Sequence, residues 1–170
     1  MGSSQWLLPP PPPHKNMPRS RTIAKREVAN DPVYNSKLVT KLINKSMFDG
    51  KKSVASAQIY DALSKFPEAG KTVETVINTI APKMEVRSRR VGGASYKVPA
   101  EVKGDRKIHL AIRWLLDAAR SRSNKEYNTF SEKLVAEMND VLAGTGNALK
   151  KRDMVQKMAE ANKVFAHLKW

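Results

Sequence analysis

The hydrophobic period of this chain changes once and then changes back. From Asp31-Pro32 onward apolar residues recur at three- and four-residue spacings, the signature of amphipathic helices. Between residues 84 and 102 the period becomes two, in MEVRSRRVGGASYKVPAEV. A stretch of alternation built around Gly92-Gly93 has one simple reading, a β-hairpin whose glycines supply the positive φ angles of a tight turn. Val86, Ser88 and Arg90 share one face and Arg87, Arg89 and Val91 the other, while Tyr96, Val98, Ala100 and Val102 alternate on the return strand. Pro99 lacks a ladder donor, which suits a two-stranded ribbon with open edges better than a central strand.

The helices on either side can be placed from their apolar faces. Leu38, Val39, Leu42, Ile43 and Met47 form the first, ended by a left-handed cap at Asp49-Gly50. Ala55, Ile59, Ala62, Leu63 and Phe66 form the second, closed by Pro67 and Gly70. Val73, Val76, Ile77 and Ile80 form a short third helix that stops at Pro82. The clearest stripe, Ile108, Ala111, Ile112, Leu115, Leu116 and Ala119, is the fourth. After the linker SRSNKEYN, Thr129 and Glu132 make a capping-box pattern for a fifth helix. Its inward face is Phe130, Leu134, Val135, Met138, Val141 and Leu142, and Gly144 and Gly146 break it. A sixth runs from about Ala148 with Leu149, Val155, Met158 and Phe165 as apolar members; Met138, Met154 and Met158 are spaced as core residues. The expected fold is mainly α: a bundle of about six helices with one protruding two-stranded β-hairpin, 84–102, between the third and fourth.

A hairpin in water is marginally stable alone, and this one carries Arg87, Arg89, Arg90 and Lys97. Charge therefore becomes the next constraint. Lys and Arg number 31 against 16 Asp and Glu, a formal net charge of +15. A compact domain so charged repels itself unless a polyanion neutralises it, and nucleic acid fits better than an anionic membrane. The cations also cluster: Lys51 and Lys52 open the second helix, Lys103, Arg106 and Lys107 flank the fourth, and Lys150, Lys151 and Arg152 begin the sixth. Phosphate contacts of this kind release counterions and make affinity fall with salt. Arginine can further bind phosphate in a bidentate manner or stack on an unpaired base.

Enzymatic chemistry finds no comparable support. The histidines are His14, His109 and His167, with His109 expected as a partly buried, hydrogen-bonded side chain beside the fourth stripe. No metal-ligand spacing, phosphate-binding loop or nucleophile–base pair stands out, Asp117 is expected to pair with a neighbouring Arg, and no cofactor is expected. The chain has no cysteine, which excludes disulfides and fits a reducing compartment. No apolar run approaches the roughly 20 residues needed to cross a bilayer, so no membrane partner is expected.

Two N-terminal segments stand apart. Residues 1–16, MGSSQWLLPPPPPHKN, are expected to be a disordered Pro-rich extension, a cloning scar or the product of a misassigned start, with Met17 as the natural beginning. Residues 17–31 are expected to be a basic arm, with Arg19, Arg21, Lys25 and Arg26, that becomes ordered on RNA. The remainder, 17–170, reads as one domain. Composition and spacing alone do not choose RNA over DNA, and an architectural DNA-binding protein is the alternative.

The words themselves are more specific. DPVYNSKLVTKLINKSMFDGKKSVA, VRSRRVGGASYKVPAEV, AIRWLLDAAR and LKKRDMVQKMAEANKVFAHLKW, in that order, resemble the bacterial-type small-subunit ribosomal protein family number seven, from about Met17 to Trp170. FPEAGKT reads shorter and SRSNKEYN slightly longer than that family's pattern, both taken as loops. The resemblance implies a non-enzymatic constituent of the small ribosomal subunit. It implies binding to the three-prime major domain of ribosomal RNA, nucleation of head assembly, and a position at the exit site near transfer RNA and messenger. Neighbouring head and platform proteins would be partners, in a cytoplasmic or organellar ribosome. Carried over, Arg19, Arg21, Lys25, Arg26, Lys51, Lys52, Arg87, Arg89, Arg90, Lys97, Lys103, Arg106, Lys107, Lys150, Lys151 and Arg152 would contact RNA.

Overall fold

A computed structural model describes residues 27–168. The Pro-rich segment and the arm's Arg19, Arg21, Lys25 and Arg26 lie outside the described residues. Six α-helices and one hairpin follow in the expected order: α1 Lys37–Ser46, α2 Lys52–Ser64, α3 Ala69–Ile80, β1 Met84–Val91, β2 Ala94–Glu101, α4 Asp105–Ser121, α5 Phe130–Leu142 and α6 Asn147–Ala161. A 3-10 turn, Lys163–Leu168, ends the described chain.

Local signals explain where the helices start. The Asp31 carboxylate accepts the N–H groups of Val33 at 3.1 Å and Tyr34 at 3.0 Å, shaping the turn that feeds α1. Ser36 Oγ then accepts from Leu38 N–H at 3.3 Å as the N-cap. At α5 the capping box forms in full, with Thr129 Oγ1 accepting from Glu132 N–H and the Glu132 carboxylate accepting from Thr129 N–H.

The apolar faces meet in one core. Leu42, Ile59, Leu63, Ile77, Ile80, Leu115, Leu116, Leu134 and Met138 are fully buried. Each such side chain stabilises the fold by about 1.5–3 kcal/mol relative to exposure. Helix α4 is the hub, packing on α1, α3, α5 and α6. The ribbon is antiparallel, with Glu85 opposite Ala100 and Val91 opposite Ala94.

Several expectations need correction. Asp49 and Gly50 do have positive φ, but α1 has already ended at Ser46 with an extended Met47 as its cap, so the left-handed pair shapes the turn into α2. Gly70 does not close the second helix; it lies in the first turn of α3, so FPEAGKT is only partly a loop. Leu142 is 49% exposed at the end of α5. Met154 and Met158 are exposed, because α6 turns only Ala148, Leu149 and Ala159 into the interior. Nor does α6 continue to Phe165: it ends at Ala161, and the 3-10 turn takes over.

The ribbon is also less detached than a free limb. Its root packs against α6 and the 3-10 turn. Val98, Pro99 and Val102 are buried there, and the Tyr96 and Phe165 rings lie 5.4 Å apart. Residues 87–90 and the turn remain exposed.

Candidate nucleic-acid interface

Lys37, Lys41 and Lys45 recur every fourth residue on α1, which places them on one helical face. That face meets α4 across an open groove of about 620 Å³, lined by the three lysines with Glu27, Asp105 and His109. Lys41 Nζ reaches Asp105 at 3.1 Å, tying α1 to the start of α4. His109 is exposed on this groove, not partly buried as expected from its place beside the apolar stripe. Its imidazole is held below its ordinary value, first by partial desolvation and then by the cations Lys45, Arg113 and Arg106.

One residue beyond Asp105, Arg106 reaches the ribbon's root. Arg106 donates from Nε to both oxygens of Glu85 at 2.8 Å, and its NH2 lies 2.8 Å from Oε2. Arg87 donates from Nε to Glu85 Oε1 at 2.5 Å. The Glu85 side chain is 9% exposed, against 47% for Arg87 and 51% for Arg106. Burial alone would push this carboxyl up, but the hydrogen bonds from Arg106 and Arg87 outweigh it and hold it below its ordinary value.

Farther out, strand register sorts the remaining ribbon cations. Arg87 and Arg89 stand opposite Val98 and Tyr96, whereas Arg90 stands opposite Ser95 and Lys97 opposite Ser88. Side chains alternate along a strand, so each face of the ribbon carries two of the four cations. All four are exposed. An α1 lysine stripe, the first turn of α4 and a two-faced cationic ribbon thus adjoin one another.

The other residues expected to face RNA divide. Lys103 is exposed and reaches Glu101 at 3.2 Å, and Lys107 is half-buried on α4. Lys51 and Lys52 are exposed at the start of α2, which packs on α1 and α5. Lys150 and Lys151 are exposed on α6, and Arg152 is half-buried. Its NH1 donates to the Thr79 carbonyl at 2.7 Å, satisfying a carbonyl in the last turn of α3, and its NH2 lies 2.7 Å from Asp153. Arg152 thus ties α6 to the end of α3.

Periodicity read for apolar residues passes over Lys37, Lys41, Lys45 and Arg113. The four-residue lysine spacing on α1 is the signal that finds the first three. Glu85 has no such signal, because a lone acidic residue in a strand looks like any solvated charge. Arg113 pairs with Asp117 at 3.6 Å, as expected for that acid. Among the described residues no group of three or more His, Cys, Asp or Glu could hold a metal ion, and no helix is long and apolar enough to cross a membrane.

Comparison with known proteins adds an independent view. The sequence profile of the family described as Ribosomal protein S7p/S5e matches residues 18–163. The chain is 50% identical over 159 residues to small ribosomal subunit protein uS7 of Caldicellulosiruptor bescii, covering 91% of this chain and all of the relative. The uS7 protein of Pelotomaculum thermopropionicum is likewise 50% identical, and that of Streptococcus thermophilus 46% identical, each over the same share of both chains.

Proposed function

Because this chain belongs to the ribosomal protein S7p/S5e family, and so is a structural component of the small ribosomal subunit and not an enzyme, we propose that its basic face binds ribosomal RNA directly. The observation that carries this reading is the adjoining set of cations formed by Lys37, Lys41 and Lys45 on α1, Arg106 on α4 and the exposed ribbon. A net charge of +15 needs a polyanion. A surface that joins a groove to a projecting ribbon can follow a folded RNA backbone at more than one helix.

On this reading residues 17–170 form a single RNA-binding domain. The chain binds the three-prime major domain of the small-subunit RNA and helps nucleate the head. Arg89, Arg90 and Lys97 engage RNA from both ribbon faces, and the arm with Arg19, Arg21, Lys25 and Arg26 threads between RNA helices. Lys51, Lys52, Lys103, Lys107, Lys150 and Lys151 add phosphate contacts. The exit-site transfer RNA, the messenger path and neighbouring head and platform proteins lie close to the ribbon and α6.

Binding of the Met17–Trp170 protein to a folded multihelix junction of small-subunit ribosomal RNA tests this. A DNA duplex and a simple RNA hairpin of equal length serve as competitors across a salt series. The junction is expected to win by orders of magnitude at physiological salt. If all three bind alike and release together as salt rises, the surface recognises charge alone and the assignment of this face is wrong.

A further inference from the structure

Two arginines from different elements share one carboxylate at the junction of ribbon and α4. Arg87 comes from β1 and Arg106 from the first turn of α4, and only the fold brings them together on Glu85. The carboxylate is nearly buried while both guanidiniums are about half exposed. An acidic residue at the centre of an RNA-binding face is at first sight a defect, since it cancels charge that phosphate would otherwise meet. The geometry suggests the opposite. Arg106 approaches Glu85 with Nε and NH2 in a side-on fork, which fixes the plane of its guanidinium. A long side chain that is already fixed loses less rotamer freedom when it meets a ligand.

We infer that Glu85, Arg87 and Arg106 form a built binding site for a single RNA backbone phosphate, with Glu85 as the positioning residue that holds both guanidiniums ready. This rests on the RNA-binding reading above and adds a specific ligand group and a role for an acid. Phosphate takes guanidinium nitrogens that Glu85 leaves open, and Glu85 keeps the three it already holds, Arg106 Nε and NH2 and Arg87 Nε.

The sign of one substitution separates this from simple electrostatics. Glu85→Gln removes a negative charge from a cationic surface. If Glu85 only dilutes the positive field, that change tightens RNA binding; if it positions the arginines, binding weakens. We expect about five- to tenfold weaker binding of the full chain to the ribosomal RNA junction, the scale of one ordinary net hydrogen bond. The salt slope should fall by about one, the share of a single phosphate, which a purely structural role would leave unchanged. Arg106→Lys keeps the charge and loses the fork, and should weaken binding by a similar factor. It also serves as the test should Glu85→Gln fail to fold, as a thermal melt would show. In an Arg87→Ala/Arg106→Ala background, with no guanidinium left to position, Glu85→Gln should no longer weaken binding.

Tighter or unchanged binding by Glu85→Gln, or unchanged binding by Arg106→Lys, overturns the positioning role while leaving the wider face intact. Wild-type affinity in Arg87→Ala/Arg106→Ala means that this junction does not touch RNA. That result removes the phosphate site and the junction's part in the proposed function together.

Discussion

Glu137 Oε1 accepts the backbone N–H of Ala148 at 2.9 Å, so a fully buried side chain of α5 satisfies the first turn of α6 across the break between them. The other oxygen of Glu137 takes two donors from Arg122, Nε at 2.9 Å and NH2 at 2.6 Å, and Arg122 also pairs with Asp140. The carboxylate thus serves the positive end of a helix and a nearly buried cation at once. Glu137→Ala leaves Arg122 without its buried partner and α6 without this cap. A loss of about 3–5 kcal/mol is expected in urea denaturation. A loss below about 1 kcal/mol would mean that water replaces the carboxylate at little cost.

The same break explains why glycines here are not equivalent. A Cβ on Gly146 would stand 2.8 Å from Val141 Cγ2 and 3.1 Å from Glu137 Oε1, so Gly146→Ala forces α5 and α6 apart and disturbs the carboxylate. A destabilisation of about 1–3 kcal/mol is expected. Gly70, inside the first turn of α3, would place its Cβ in open space. Gly70→Ala should therefore raise stability by about 0.5 kcal/mol by narrowing the freedom of the unfolded chain. Thermal melts of the two variants should move in opposite directions; a shared direction contradicts the packing argument.

Tyr60 reports on the Asp31 turn that feeds α1. Its hydroxyl donates to Asp31 Oδ1 at 2.7 Å, and Asp31 is buried with its second oxygen holding the Val33 and Tyr34 N–H groups. The hydrogen bond to Asp31, with burial and the nearby negative charge, pushes the phenol up to about 12 from an ordinary value of 10.0. Folded Tyr60 therefore keeps its proton at pH values where the unfolded chain loses it. The stabilisation is complete below pH ~10 and disappears as the pH rises through ~12. Ultraviolet titration of phenolate should show one tyrosine ionising late, and Tyr60→Phe should abolish that step. If no late step appears, the Asp31 hydrogen bond does not persist in solution.

Much of the fold was legible because each helix writes its core face as a repeat. Leu42, Ile59, Ile77, Leu115 and Leu134 fall where a helical period puts them, and Gly92-Gly93 marks the ribbon without help from tertiary packing. What periodicity misses is the partner of each face. Met154 and Met158 repeat as core residues do, but α6 lies at the bundle's edge and nothing covers that stripe among the described residues. Glu85, Glu137 and Arg152 are equally opaque. Their partners are 21 residues away for Arg106, 11 for Ala148 and 73 for Thr79, so no local pattern encodes the pairing. The ribbon cations were legible as a charged set, but the split between an anchored root and an exposed tip was not.

That split gives the last prediction. Arg90 and Lys97 share one ribbon face beyond the packed root, and both are exposed. Replacing both with Ala disturbs no buried packing, so stability should change by less than about 0.5 kcal/mol. Affinity for the ribosomal RNA junction should fall, and the salt slope should decrease by about one for each phosphate the ribbon no longer engages. Phe165→Ala acts on the root instead, removing a ring partner of Tyr96 worth about 0.5–1.5 kcal/mol beyond its buried area. It should lower the melting temperature and weaken RNA binding together, because the ribbon is deprived of the surface that fixes its direction. Melting curves and salt-dependent binding measured on the same two variants decide the matter. If Arg90→Ala/Lys97→Ala also lowers the melting temperature substantially, the tip belongs to the folded core and the ribbon is not divided as the burial pattern indicates.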